Sequence, residues 1–319
     1  MCDISLLFPK HIRNGIKTDE WLRGLEEVRI RAGQPIEFVY GDEVRYLILK
    51  NEIVFFERVG NGTDRWKHGY LATVGDISEM LNYISNYSLY AYKEELKQGY
   101  ITIEGGHRIG VAGQAAMSDG KISGIYHIAF LNIRVAHERP GCARRTLPWI
   151  RFQSSIYNTL ILSPPGAGKT TMLRDCIREL STGEEAYDGL RVSVVDERSE
   201  IAASYHGIPQ NDMGPRTDVL DGCKKAEGML MLIRSMSPQV VAVDELGSEE
   251  DFFAVEQAVN SGSKVLGTIH AGDIRELSEK PFLKTWMKRG LFQRFVLIEK
   301  EMSGKRSVTV YDQHMEKLC

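Results

Sequence analysis

The chain opens with alternation. Val28 and Ile30 share one strand face and Arg29 and Arg31 the other. Ala32-Gly33-Gln34-Pro35 predicts a turn. Ile36, Phe38 and Tyr40 predict a second strand, and residues 44–49 and 53–59 two more, parted by Lys50-Asn51. A short helix is expected over residues 18–25. Asp76 reads as an N-cap with Glu79 completing a capping box. Ile77, Met80, Leu81, Ile84 and Ser88 follow at helix spacing, with Tyr87 alongside. A hairpin is expected for 99–104 and 108–112 around Gly105-Gly106, then a strand over 127–136. Glu138-Arg139-Pro140-Gly141 breaks the pattern and reads as a linker. Residues 1–139 are thus expected to form a mixed α/β domain without a catalytic motif of its own, and 140–319 a second domain.

Past the linker the period changes. Short, mostly apolar runs appear at 160–162, 192–195, 240–243 and 265–269, interrupted only by Ser193, Gly267 and Thr268 and each ending in polar residues, which suits buried parallel strands. Amphipathic stretches lie among them. Met172, Leu173, Cys176, Ile177 and Leu180 form one stripe, and Ala226, Met229, Leu230 and Ile233 another, within a helix expected over 222–236; a third is expected over 248–260. Residues 181–189 read as a polar turn. Residues 205–222, with Gly207, Pro209, Gly214, Pro215 and Gly222, read as a long irregular loop carrying Arg216-Thr217-Asp218. A terminal hairpin is expected for 295–299 and 306–311, joined through Ser303-Gly304-Lys305. The expected fold class is α/β, a mostly parallel central sheet with helices on both faces.

Composition narrows the picture. A length of 319 residues suggests two domains. A net charge of −3 argues against wholesale wrapping of nucleic acid, though not against a local basic groove. No apolar run reaches the ~18 residues of a membrane span. The opening MCDISLLFPKHIRNG has no signal-peptide core, so a cytosolic protein is expected, one that can still dock on a membrane protein. The five cysteines are scattered, with neither CxxC nor metal-ligand spacing, which suits reduced thiols.

The chemistry centres on LILSPPGAGKTTML, residues 160–173. Strand, glycine-rich loop and helix follow in the order a phosphate-binding P-loop needs. Gly166 and Gly168 allow the backbone N–H groups to turn inward around a phosphate. The helix N-terminus near Lys169 favours negative charge. The residues expected to bind nucleotide are Pro165, Gly166, Ala167, Gly168, Lys169, Thr170 and Thr171. Lys169 is read as a solvated, mobile cation for the outer phosphates, and the Thr170 hydroxyl as a ligand for Mg²⁺. Ser163 replaces the first glycine of the strict pattern, where the strand leaves the sheet and a small residue suffices.

Seventy-four residues after Thr170, Val240-Val241-Ala242-Val243 runs into Asp244-Glu245. Asp244 is expected to hold the Mg²⁺ shell through water, and Glu245 to orient and activate the attacking water. Asp196, Glu197 and Glu200 cluster at another strand tip, where α/β folds place ligand chemistry; a charged loop neutralised by Arg198 is the plainer alternative. His270 ends a further strand, expected beside the P-loop strand as a γ-phosphate sensor. ATP and Mg²⁺ are the expected cofactors.

EVRIRAGQPI, EGGHRIGVAG, NIRVA, SPPGAGKTTMLRD, VVDERSEIA, GPRTDVLDG, VAVDELG and TIHA together resemble the stage III sporulation protein AA family, relatives of the type II and type IV secretion ATPases. The resemblance implies a RecA-like ATPase of the mother-cell cytoplasm of an endospore former. It would form a hexameric ring and dock on membrane components of a secretion-like complex facing the forespore, residues 1–139 serving oligomerisation and docking. It makes Asp196-Glu197 with Glu200 an acidic box and Thr268 with His270 an abbreviated histidine box, lacking the usual following Asn-Ser. The tetracysteine zinc insert of some secretion ATPases is absent, which weakens any carry-over of a pilus or type II export role.

Catalytic roles therefore fall on Glu245, Lys169, Glu197, His270 and Arg216. Arg134, Arg139 and Arg108 are further candidates for an arginine acting in trans, and Arg134, Arg139, Arg144 and Arg145 cluster around the linker. The alternative function is a single-stranded nucleic-acid motor, against which count the lack of a stacking tract and of room for a binding module before Cys319. A nucleotide-sensing scaffold is a more distant one.

Overall fold

The computed structural model describes residues 4–58, 69–85, 92–279, 281–300 and 306–319. The chain divides into two compact units, Met1–His137 and Glu138–Cys319.

The first unit is built on a seven-stranded antiparallel sheet. Across it run Ile53–Arg58, Glu43–Lys50, Glu37–Tyr40, Glu27–Arg31, Lys121–Arg134, Arg108–Ser118 and Tyr100–Thr102. Phe8, Trp21 and Phe38 pack in its core, with Phe56 stacked on Trp21 at 5.3 Å between ring centroids. Helix Val74–Ile84 buries Ile77, Met80, Leu81 and Ile84, as its spacing requires. Its cap differs from expectation. Thr73 is the N-cap, its Oγ1 accepting the Asp76 N–H at 3.0 Å, while Asp76 Oδ2 accepts the Thr73 N–H at 2.7 Å. Asp76 is thus the third helical residue of a Thr-x-x-Asp box, a role its short carboxylate fills as Glu or Gln would. Tyr87, Ser88, Val59 and the 303–305 turn lie outside the described residues.

The expected helix over 18–25 is one turn of 3-10 helix, Glu20–Leu22. The hairpin expected to stop at Ala112 runs on to Ser118 and returns from Lys121, with two register shifts along its length. Its far portion is largely exposed, so no buried face imposes the clean alternation by which strands are recognised.

The second unit carries the other seven-stranded sheet. Its order is Thr217–Asp221, Val192–Asp196, Val240–Val243, Lys264–His270, Thr159–Ser163, Arg294–Lys300 and Arg306–Asp312. Every pairing is parallel except the last, the terminal hairpin. Both faces are covered. Ile161, Val192, Val194, Ala242 and Leu266 pack with Leu173, Ile177 and Leu180 of helix Lys169–Thr182. Leu160, Leu162, Val241, Val243 and Val265 pack with Met229 of helix Lys225–Met236 and Phe252 and Val255 of helix Glu249–Asn260. Burial on both faces explains the mostly apolar runs.

Two segments read as loops are extended. Thr217–Asp221 is an edge strand, half-buried along its whole length, and its TDVLD carries no apolar run to betray it. Residues 183–188 contain the two-residue ladder Gly183–Glu184 with Tyr187–Asp188. Among the described residues no helix is long and apolar enough to cross a membrane.

Candidate functional site

Parallel strands end together, so the sheet delivers its polar tips to one edge. Ser163 pairs in register with His270, and Val243 with Gly267. Asp244 and Glu245 therefore emerge beside Thr268, with Lys169 and Thr170 beyond. Gly166 at φ +75° and Gly168 at φ +107° carry the loop through left-handed backbone that a Cβ would strain. Helix Lys169–Thr182 starts directly after it. Ser163, the departure from the strict motif, is fully buried, its hydroxyl donating to the Pro164 carbonyl at 2.8 Å.

Thr170 Oγ1 donates to Asp244 Oδ2 at 2.6 Å, and the Thr268 hydroxyl donates to Asp244 Oδ1. Lys169 is not the solvated cation expected. It is 6% exposed, and its Nζ donates to Glu245 Oε1 at 3.1 Å. The carboxylate is its counter-ion. His270 Nε2 donates to the same oxygen at 2.8 Å, and Arg198 Nη1 to Glu245 Oε2 at 3.0 Å. Burial works to raise the Glu245 pKa, but the hydrogen bonds from His270 and Lys169 outweigh it and hold the carboxyl below its ordinary value.

Glu245 also sits at φ +55°, rare for a residue with a side chain. Its N–H is fixed by Thr268 Oγ1 at 2.8 Å and Asp244 Oδ1 at 3.1 Å. Leu246 tucks over Gly267, where an added Cβ would lie 2.6 Å from Leu246 Cδ1. The Asp-Glu turn thus depends on a bare glycine in the neighbouring strand. A backbone outlier held from several sides is the kind of strain that marks functional sites.

The acidic cluster is brought near but not used uniformly. Asp196 is 2% exposed; its carboxylate accepts the N–H groups of Glu200 at 2.8 Å, Ile201 at 2.9 Å and Ala202 at 2.8 Å. Burial pushes its pKa up to about 6, against the pull of those amides. Asp196 organises the 200–202 turn. Glu197 forms an ion pair with Lys225. The Glu200 carbonyl accepts Arg174 Nη2 at 2.7 Å, tying the acidic loop to the P-loop helix. Arg198, in the plainer reading a neutraliser of its chain neighbours, reaches across to Glu245.

Arg216 does not join the site of its own chain. It precedes Thr217, which pairs with Val192 at the sheet's opposite edge, and its Nη1 donates to the Gly189 carbonyl at 2.7 Å. Arg134 and Arg108 lie side by side on paired strands of the first unit. Arg134 is 3.8 Å from Glu27, and Arg108 stacks on the Tyr100 ring at 3.5 Å from its centroid. Arg139 and Arg145 border a cavity of about 600 Å³ that opens beside Gly168 and Thr171 and is closed across by Arg306 and Val308 of the terminal hairpin. Sequence reasoning missed Arg306 and the partners of Arg174 and Arg198, since these contacts join segments distant in the chain; they follow from the tertiary fold.

Residues 3–318 match the family described as Sporulation stage III, protein AA. The chain belongs to that family. It is 39% identical over 316 residues to stage III sporulation protein AA of Bacillus subtilis (strain 168), covering 98% of this chain and 95% of that protein. Among solved structures, the ATPase DotB of Legionella pneumophila superposes with a TM-score of 0.57 at 15% identity, over 92% of this chain and 80% of that one. The pilus retraction motor PilT, solved with bound ADP, superposes with a TM-score of 0.54 at 13% identity, over 90% and 78%. At such identity the likeness speaks to fold alone. This Sporulation stage III, protein AA member has a RecA-like P-loop unit, a largely parallel sheet flanked by helices, preceded by a mixed α/β unit.

Proposed function

We propose that this protein is a Mg²⁺-dependent ATPase that drives a secretion-like assembly during endospore formation, working from the mother-cell side as a hexameric ring on membrane components. The observation that supports hydrolysis most directly is the pairing of P-loop and Asp-Glu residues, Thr170 with Asp244 and Lys169 with Glu245. A hydroxyl and a carboxylate 2.6 Å apart offer hard oxygen donors of the kind Mg²⁺ takes, so Thr170 and Asp244 would hold it. When bound, the ion neutralises charge on the outer phosphates.

The chain's own groups do the rest. The loop amides and Lys169 bind the β- and γ-phosphates. As Lys169 turns to phosphate, Glu245 loses one of the partners that depress its pKa and becomes a better acceptor for the proton of an attacking water. His270 keeps Glu245 aimed. The cavity beside Gly168 and Thr171 receives the nucleoside, its floor apolar through Met172, Ile298 and Val308.

The name of the full-length relative favours sporulation machinery over a single-stranded nucleic-acid motor. Steady-state phosphate release by the wild type, Lys169→Ala and Glu245→Gln, each with its oligomeric state measured, tests the reading. A wild type with no Mg²⁺-dependent turnover in any assembled form would refute it.

A further inference from the structure

The terminal hairpin brings an arginine to the P-loop. Arg306 opens strand Arg306–Asp312, and its guanidinium lies close to the last glycine of the loop. A Cβ built on Gly168 would stand 3.2 Å from Arg306 Cζ, 3.4 Å from Nε and 3.5 Å from Nη1. Arg306 is exposed, and among the described residues it donates to no acceptor and pairs with no acid. The same holds for the side chains of Arg139 and Arg145 across the cavity. The nearest carboxylate on the P-loop helix, Asp175, is engaged by Arg178 at 2.7 Å and by the amides of Gly141 and Ala143 at 3.0 and 2.7 Å. Three arginines with no acid paired to them among the described residues thus line one cavity whose floor is apolar, an arrangement that draws an anion with an uncharged body attached.

Direction decides which part of the anion reaches Arg306. Glu245 and Asp244 stand on one side of Lys169 and Thr170, so a γ-phosphate in position for hydrolysis lies there. The cavity lined by Gly168, Thr171 and Arg306 is a separate one, with none of Lys169, Thr170, Asp244 or Glu245 in its wall. A polyphosphate running from Glu245 through the loop emerges into that cavity at its nucleoside end.

We propose that Arg306 is an in-chain binding residue for the α-phosphate of the nucleotide, gripping it from the hairpin side of Gly168. The proposal rests on the reading of the P-loop as a nucleotide site. Two consequences separate Arg306 from an arginine supplied by a neighbouring subunit. Its partner is present in both ADP and ATP, so both bind more weakly without it. It is remote from the γ-phosphate, so saturated turnover is spared. Arginine's planar fork suits two phosphate oxygens at once, which lysine's single ammonium does not.

The test is calorimetric titration of the full chain with ADP, with a slowly hydrolysed ATP analogue and with adenosine. Wild type, Arg306→Ala, Arg306→Lys and Lys169→Ala are compared, with thermal melts confirming that each is folded. Expected for Arg306→Ala is a loss of affinity on the order of 10- to 100-fold, similar for ADP and the ATP analogue, as befits a lost charge-assisted hydrogen bond. Adenosine binding stays unchanged, kcat falls less than about twofold at saturation, and Arg306→Lys recovers only part of the loss. Wild-type ADP affinity in a folded Arg306→Ala chain, with binding lost in Lys169→Ala, would overturn the proposal and leave the P-loop reading standing. A loss confined to the ATP analogue and joined to a fall in kcat would also overturn it, by moving Arg306 to the γ-phosphate. A wild type that binds neither nucleotide would sink the P-loop reading and the proposal together.

Discussion

Lys169 Nζ and Glu245 Oε1 stand 3.1 Å apart, so the cation suited to phosphate and the carboxylate suited to water neutralise one another. Each side chain is therefore held in place by the other. Lys169→Ala is expected to abolish nucleotide binding or turnover and leave the fold intact. Near-normal hydrolysis by a folded Lys169→Ala chain would remove the P-loop from the mechanism.

Glu245→Gln separates binding from chemistry. The amide keeps the shape and can still meet His270 but cannot take a proton. Turnover should fall by a factor on the order of 10² to 10⁴, the usual range for a positioned base, with Mg-ATP still bound. Asp244→Asn should instead weaken the metal-dependent part of binding. Wild-type turnover in Glu245→Gln would shift the base to Glu197 or Glu200.

The pH profile probes His270. Its hydrogen bond is among those that keep the Glu245 carboxyl low, so ionisation persists at pH values where an ordinary glutamate begins to protonate. Removing a group that depresses an acid's pKa raises it. His270→Ala should therefore move the acid limb of kcat/KM to higher pH. An unshifted limb would mean that His270 does not tune Glu245.

Asp196 makes a prediction about stability. An acid whose pKa rises on folding, here from 3.8 to about 6, binds its proton more tightly when folded. Its contribution favours the fold at low pH, declines as pH rises from 3.8 through about 6, and is flat above. Urea unfolding between pH 4 and 8 should show this decline in the wild type and lose it in Asp196→Asn. At neutral pH the variant should be less stable by about 1–3 kcal/mol, because an amide NH₂ would face backbone donors. Parallel pH dependences in the two proteins would contradict the assignment.

Assembly can be tested by dilution and mixing. An arginine finger contributes about 10³-fold or more to the rate in related chemistry. Arg216 is far from the P-loop of its own chain, so it can act only from a neighbour. Activity per chain should rise with concentration as rings form. Lys169→Ala chains should rescue Arg134→Ala or Arg216→Ala chains in mixed oligomers if either arginine acts in trans. Flat specific activity, with a monomer at every concentration by ultracentrifugation, would dispose of the ring.

What the sequence disclosed follows the physics of burial. Strands covered on both faces, such as those at 159–163 and 240–243, announce themselves as unbroken apolar runs. The half-covered edge strand at 217–221 does not. Residues in the glycine loop and at the Asp-Glu tip were legible because local backbone chemistry demands them. The place of Arg306 and the partners of Arg198 and Arg174 were not, because each contact spans a long stretch of chain. Lys169 is buried against Glu245 where a solvated cation is expected, since sequence does not reveal which acid answers it.

Asp175 holds the amides of Gly141 and Ala143 from the middle of the P-loop helix, and Glu138 accepts the Asp212 N–H at 2.7 Å. The first residues of the second unit are thus lashed to the helix whose opening turn carries Lys169 and Thr170. A segment fastened this way has little slack of its own. Any tilt of that helix is handed directly to residues 141–143, which must follow it as a trailer follows its hitch.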